Sequence, residues 1–205
     1  MSIVIQIVSI FVISTLVHLF GTFWALRLAG IKTENIQIFY GRPIYTYWSK
    51  YGKFEFGYIP GGSIKYDVEE FSKRGIMTRI LLCISGPLSI LLSSIFIISF
   101  IPSIMEFMYG FKQIFSGSLF PVKVGVKLVD NCIIMLQSHN YLYGYAVFST
   151  KIAAFNLLPI GPLNGGHVIS EFFEKIKLKV AFQNIGFIFV LIMIIDWVYI
   201  ILYRL

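Results

Sequence analysis

From Ser2 to Leu26 the chain carries no charged residue and is apolar almost throughout. About 20 apolar residues suffice to cross a hydrocarbon core of roughly 30 Å, so this run predicts a membrane helix over 3–29. It lacks a basic n-region and is far longer than an h-region of about 7–15 residues, which separates it from a secretory signal. A second uncharged run, Ile80 to Ile101, predicts a helix over 78–101. A third apolar stretch, between Cys132 and Pro159, is interrupted by Lys151 and predicts a helix over 141–159. A fourth, Val180 to Tyr203, is interrupted by Asp196 and predicts a helix over 180–203.

Between the first two spans the pattern changes period. Ile36-Gln37-Ile38-Phe39-Tyr40 alternates, then Gly41-Arg42-Pro43 breaks it. Ile44 to Trp48, Phe54 to Ile59 and Ser63 to Tyr66 follow, separated by Gly, Ser, Lys and Pro. Short aromatic and β-branched runs split in this way predict a small antiparallel sheet over 36–67. Open sheet edges are not tolerated in lipid, so the sheet belongs at the interface or where protein or water covers it. Its aromatics suit the headgroup level. Ser103 to Gln137 reads equally as an interfacial amphipathic helix over its second half or as the start of the third span.

Composition supports a membrane solvent. Hydrophobic residues make up 57% of the 205, and 13% are charged; soluble domains average about 45–50% and about 25%. The expected fold class is therefore an α-helical multi-pass membrane protein of about four transmembrane helices. A small membrane-associated β element follows the first helix, in a single membrane domain over 1–205. The net charge of +7 does not point to nucleic acid, because the basic residues lie between spans. Arg27, Lys32, Arg42, Lys50, Lys53, Lys65, Lys73, Arg74 and Arg79 fall in or beside the first loop, and Lys175, Lys177 and Lys179 in the third. The positive-inside rule places these loops in the cytoplasm and both chain ends outside. Cys83 and Cys132 lack metal-ligand spacing and imply no disulfide framework.

Two motifs look like chemistry with parts removed. His18-Leu19-Phe20-Gly21-Thr22 has the frame of HExxH, in which two His on one helix face hold zinc and the Glu acts as base. Leu19 stands at the Glu position and Thr22 at the second His position. Far downstream, Asn156-Leu157-Leu158-Pro159-Ile160-Gly161-Pro162-Leu163-Asn164-Gly165-Gly166-His167 breaks a membrane helix. Broken backbone at membrane depth is tolerated where it lines a covered or wet cavity.

Taken with Pro60-Gly61-Gly62-Ser63-Ile64-Lys65 and Ser85-Gly86-Pro87-Leu88-Ser89, these motifs resemble the site-2 protease family of intramembrane zinc metalloproteases. His18, Gly21, Phe23, Ala25 and Arg27 stand in the register of that family's first core helix. The stretch from Ser89 to Ile152 leaves little room for the PDZ domain many relatives insert. The resemblance implies that the family's zinc ligands correspond to His18, Thr22 and Asn164. A Thr hydroxyl and an Asn amide are poor zinc donors, and Leu19 cannot accept a proton. The expectation is therefore a pseudoprotease with no catalytic residue, no bound metal and no cofactor. Zinc enters only under the alternative of a non-standard metal site, with His139 and His167 as recruits beside His18.

The features that could receive a partner remain. Gly61 and Gly62, Asn156, Pro159, Pro162 and the intramembrane Lys151 are the candidate binding residues. An intramembrane Lys is a functional candidate by default; the reading here pairs it with Asp196 or sets it near the vacated metal site with Asn156. The resemblance implies capture of an extended peptide at the β edge. Expected partners are the lipid bilayer and a membrane-protein or peptide segment, with a structural subunit of a transporter or secretion assembly as a further alternative. Family type suggests a bacterial inner membrane.

Overall fold

In a computed structural model, residues 2–173 and 176–204 are described. Helix α1 (Ile3–Leu28) leads into strands β1 (Thr33–Tyr40), β2 (Tyr45–Ser49), β3 (Gly52–Phe56) and β4 (Ile59–Tyr66). Then follow α2 (Val68–Ser72), α3 (Ile76–Ile98), α4 (Phe100–Leu119), a π-helical turn at Pro121–Gly125, α5 (Val126–Ser138), α6 (Tyr141–Asn156), α7 (Asn164–Ser170) and α8 (Ile176–Arg204). Among the described residues, three helices are long and apolar enough to cross a membrane: Ile3–Leu28, Ile76–Ile98 and Leu178–Tyr203. The chain is a multi-pass membrane protein with a small sheet after its first helix.

The third predicted span is corrected in length. α6 stops at Asn156 rather than 159 and has 16 residues, about 24 Å at 1.5 Å per residue. It is an interior helix, with Gly144, Tyr145, Ala146, Ser149, Thr150, Ala153 and Ala154 buried. The ambiguous segment before it resolves into α4, the π turn and α5. Ser99, at φ 71, ends α3 and turns the chain into α4.

Small residues let these helices touch. Gly21 of α1 lies against Ser89 of α3, and Gly110 of α4 against Ala154 and Lys151 of α6. Hydrogen bonds join α3 to α6: Ser94 Oγ to Ser149 Oγ at 2.9 Å, and Ser93 Oγ to Tyr145 Oη at 3.0 Å. Within lipid such small-residue contacts and hydroxyl bonds take over from the hydrophobic effect between helices. α8 closes the other side, where Trp197 Nε1 donates to Ser118 Oγ at 3.1 Å.

The sheet is mixed, not antiparallel as the alternation implied. Its order is β2-β3-β1-β4, with β1 and β3 parallel and the other pairs antiparallel. Pro60-Gly61-Gly62 lies inside β4 rather than separating two strands. One sheet face is apolar: Ile36 and Ile38 pack with Leu19 and Phe23 of α1, with Phe54, Phe56 and Ile64 around them. The other face is polar. Asn35 Nδ2 donates to Glu55 Oε2 at 2.7 Å, and Lys53 pairs with Glu55 and lies over Trp48. The Lys53 bond, then the Asn35 bond, hold the Glu55 carboxyl below its ordinary range.

Candidate functional site

α1 carries Ser14, His18 and Thr22 at four-residue spacing within an apolar sequence. Residues four apart share a helix face. The His18 ring lies on Gly86 of α3, where an added Cβ would meet Nε2 at 2.5 Å. Ser14 Oγ and Thr22 Oγ1 are buried with no hydrogen-bond partner among the described residues. Buried hydroxyls are normally paired, so this row is unsatisfied at both ends.

A cavity of about 200 Å³ opens beside it, walled by Ser14, Thr15, His18 and Leu19 of α1 and by Tyr40, Gly61 and Gly62 of the sheet. Ile90 of α3 and Ile152 and Asn156 of α6 complete it. Among the described residues no Asp, Glu, Lys or Arg side chain lines it. Of the predicted site residues, His18, Leu19, Gly61, Gly62 and Asn156 meet here. Asn156 Nδ2 donates to Ile152 O at 2.9 Å, inside its own helix.

Leu19 shares in the cavity wall, but its packing is structural: it is 5% exposed and seats Gly62 of β4. Asn164 Nδ2 donates to Cys83 O at 2.6 Å and docks α7 on α3. Pro159 and Pro162 sit in the turn between α6 and α7, outside the cavity lining. His139 stacks on Tyr143 and its Nδ1 lies 2.9 Å from Ser138 Oγ. Lys151 pairs with neither Asp196 nor the cavity. Its Nζ bonds Glu106 Oε2 at 2.5 Å and Glu106 O at 2.7 Å on α4. The expected partner was misplaced because α4, unrecognised in the sequence, lies along α6 and presents a carboxylate first.

Sequence reasoning missed Ser14, Thr15, Tyr40 and Glu106. The first was legible, since Ser14, His18 and Thr22 form a polar row at helical spacing. Tyr40 was not, because its place depends on a strand irregularity.

A family model described as peptidase family M50 matches residues 6–195. The chain belongs to this family, the site-2 proteases. Over 94 residues it is 32% identical to the "Regulator of sigma E protease" of Haemophilus influenzae (strain ATCC 51907 / DSM 11121 / KW20 / Rd). That match covers 39% of this chain and 21% of the relative, so the chain corresponds to about a fifth of that protein's length.

Family members are zinc metalloproteases, which makes the donor set here the decisive test. Zinc sites draw on Cys, His and carboxylate side chains, with one position left open for water in catalysis. The positions that the resemblance assigns to the ligands, His18, Thr22 and Asn164, offer one imidazole, one alcohol and one amide already bonded to a carbonyl. Among the described residues no three His, Cys, Asp or Glu side chains gather. These residues do not fit a catalytic zinc ion.

Proposed function

We propose that this chain is a catalytically inactive member of the family that captures an unwound transmembrane segment without cleaving it. It would act as a membrane adaptor or complex subunit in a bacterial inner membrane, with both ends outside. One observation carries this reading: a polar cavity adjoins the outer edge of β4, on which no further strand lies among the described residues, while Leu19 fills the position of the base. The edge follows from the hydrogen bonds. Ile38 O accepts from Gly57 N at 2.9 Å, toward β3. Gly62 is opposite Ile38 on the other side, and in an antiparallel ladder it then turns its own N–H and C=O outward. An extended peptide added there would find main-chain partners, the usual basis of β-augmentation. Beside it, His18, Thr15 and Asn156 offer neutral hydrogen-bonding groups to backbone that has left its helix.

A defined pair of probes tests this. The full chain, in nanodiscs, carries p-benzoylphenylalanine at the exposed Ser63. It is irradiated with a Leu/Ala transmembrane peptide interrupted by Asn-Pro-Gly, or with an unbroken Leu/Ala helix of equal length. Cross-linking to the interrupted peptide alone, with no shorter fragment on incubation, is the expected result. Equal cross-linking to both peptides, or to neither, removes the capture reading.

A second reading, a zinc protease with a rebuilt site, is favoured by family membership and by His18 facing the cavity. Elemental analysis separates the two. Zinc near zero per chain, unchanged by His18→Ala, is expected. Zinc near one per chain, lost with His18→Ala and accompanied by peptide fragments, would establish the enzyme instead.

A further inference from the structure

We infer that Tyr40 is a latch that holds the β4 edge closed and must swing away before a peptide can pair there. The inference rests on the reading of that edge as a peptide acceptor and names what regulates access to it. Tyr40 belongs to β1, one strand in from the edge, yet its hydroxyl reaches across β4. Two features of the backbone send it there. Phe39 adopts φ 65, rare for a side chain of its bulk, and the β1–β4 register shifts between Ile38 and Tyr40. The ring then crosses β4 at Gly61, where any Cβ would overlap it and where φ is +140. At the end of this path Tyr40 Oη donates to Gly62 O at 2.7 Å.

That carbonyl is the outward acceptor an incoming strand would use. An N–H of a captured peptide and the Tyr40 hydroxyl therefore compete for one oxygen. Tyr40 also forms part of the cavity wall with His18 and Ser14, so its departure would widen the cavity and free the edge together. Tyr40 is 44% exposed, and its ring has room to leave. A hydroxyl bond is a suitable catch because it satisfies the edge carbonyl while no peptide is present, and a peptide amide can replace it at little net cost.

The test needs no peptide. In the full chain, with Cys83→Ala and Cys132→Ala, Ser14→Cys places one thiol deep in the cavity wall. Labelling by 2-aminoethyl methanethiosulfonate in nanodiscs then reports opening. Tyr40→Phe, which removes only the hydroxyl, is expected to raise the labelling rate about threefold to tenfold, the effect of one hydrogen bond on an opening equilibrium. Tyr40→Ala should raise it at least as much. A thiol at the exposed Thr46 of β2, introduced in place of Ser14→Cys, should label at the same rate in every background. Unchanged Ser14→Cys labelling in both Tyr40 variants overturns the latch. So does a parallel rise at Thr46→Cys, which would mean that Tyr40 merely holds the sheet together. Faster labelling without capture of the interrupted peptide would retire the capture reading while leaving the gate. Capture with unaltered labelling would do the reverse.

Discussion

Gly166→Ala should lower the thermal unfolding midpoint in detergent by roughly 6–12 °C, the shift that about 3 kcal/mol produces in a chain of this size. Overpacking a filled interior costs about 1–3 kcal/mol when side chains can yield; here none is in the way. A Cβ on Gly166 would be directed into the backbone of Ile160 and would stand 2.8 Å from Gly161 N. Gly161 cannot retreat, because a Cβ at that position would already lie 2.7 Å from Gln183 Cα of α8. Gly186 of α8 presses back on the same turn, its Cβ position 2.6 Å from Gly161 Cα. Three backbone segments are thus stacked with no side chain between them, and a single methyl displaces all three. Gly75→Ala is the control: nothing lies within 4 Å of its added Cβ, and its midpoint should stay within about 2 °C. Tryptophan fluorescence on heating measures both. A Gly166→Ala midpoint matching the control would show that the turn is looser than described.

Lys151→Met is expected to destabilise the chain by about 2 kcal/mol. Breaking a buried ion pair by removing one partner costs about 3–5 kcal/mol. The value here is set lower because the two side chains retain 21% and 34% exposure. The loss comes mainly from Glu106, left charged between α4 and α6 without its cation. The double variant Lys151→Met/Glu106→Gln should recover at least half of the loss, since a neutral amide needs no counter-charge. A double-mutant cycle by urea unfolding in mixed micelles reads the coupling directly. Additive losses would mean that the two residues do not sense each other. Asp196→Asn should be near neutral in the same assay if Glu106 is the true partner.

The sequence made the membrane helices and the β element legible because their signals are local. Uncharged runs, alternation and Gly/Pro breaks each report on their own neighbourhood. The family landmarks were equally readable, being short strings in a definite order. α4 escaped notice because Glu106 and Lys112 interrupt its hydropathy. Ile104, Phe107, Phe111 and Ile114 nevertheless recur at helical spacing and pack inward. The parallel pairing of β1 with β3 could not be read at all. Alternation tells which face a residue occupies, but not which strand lies beside it. At the site, Leu19, Thr22 and Asn164 were plain from the motif. What they do was not: Leu19 is a packing residue and Asn164 a docking bond. Those roles depend on β4 and α3, which are distant in the chain.

The strand order also determines the sequence of events by which the sheet can form. β2 and β3 join through a two-residue turn and can close within microseconds, as isolated hairpins do. β1 is made before them but gains its parallel neighbour only when that finished hairpin swings round to it. β4 comes last and supplies the other neighbour. Until then one side of β1 is bare, and Ile36 and Ile38 lack the cover of Ile64. A chain truncated before Ile59 should therefore leave the β4-facing amides of β1 open to exchange. Complete protection of the β1 amides from exchange should begin only once Tyr66 has emerged.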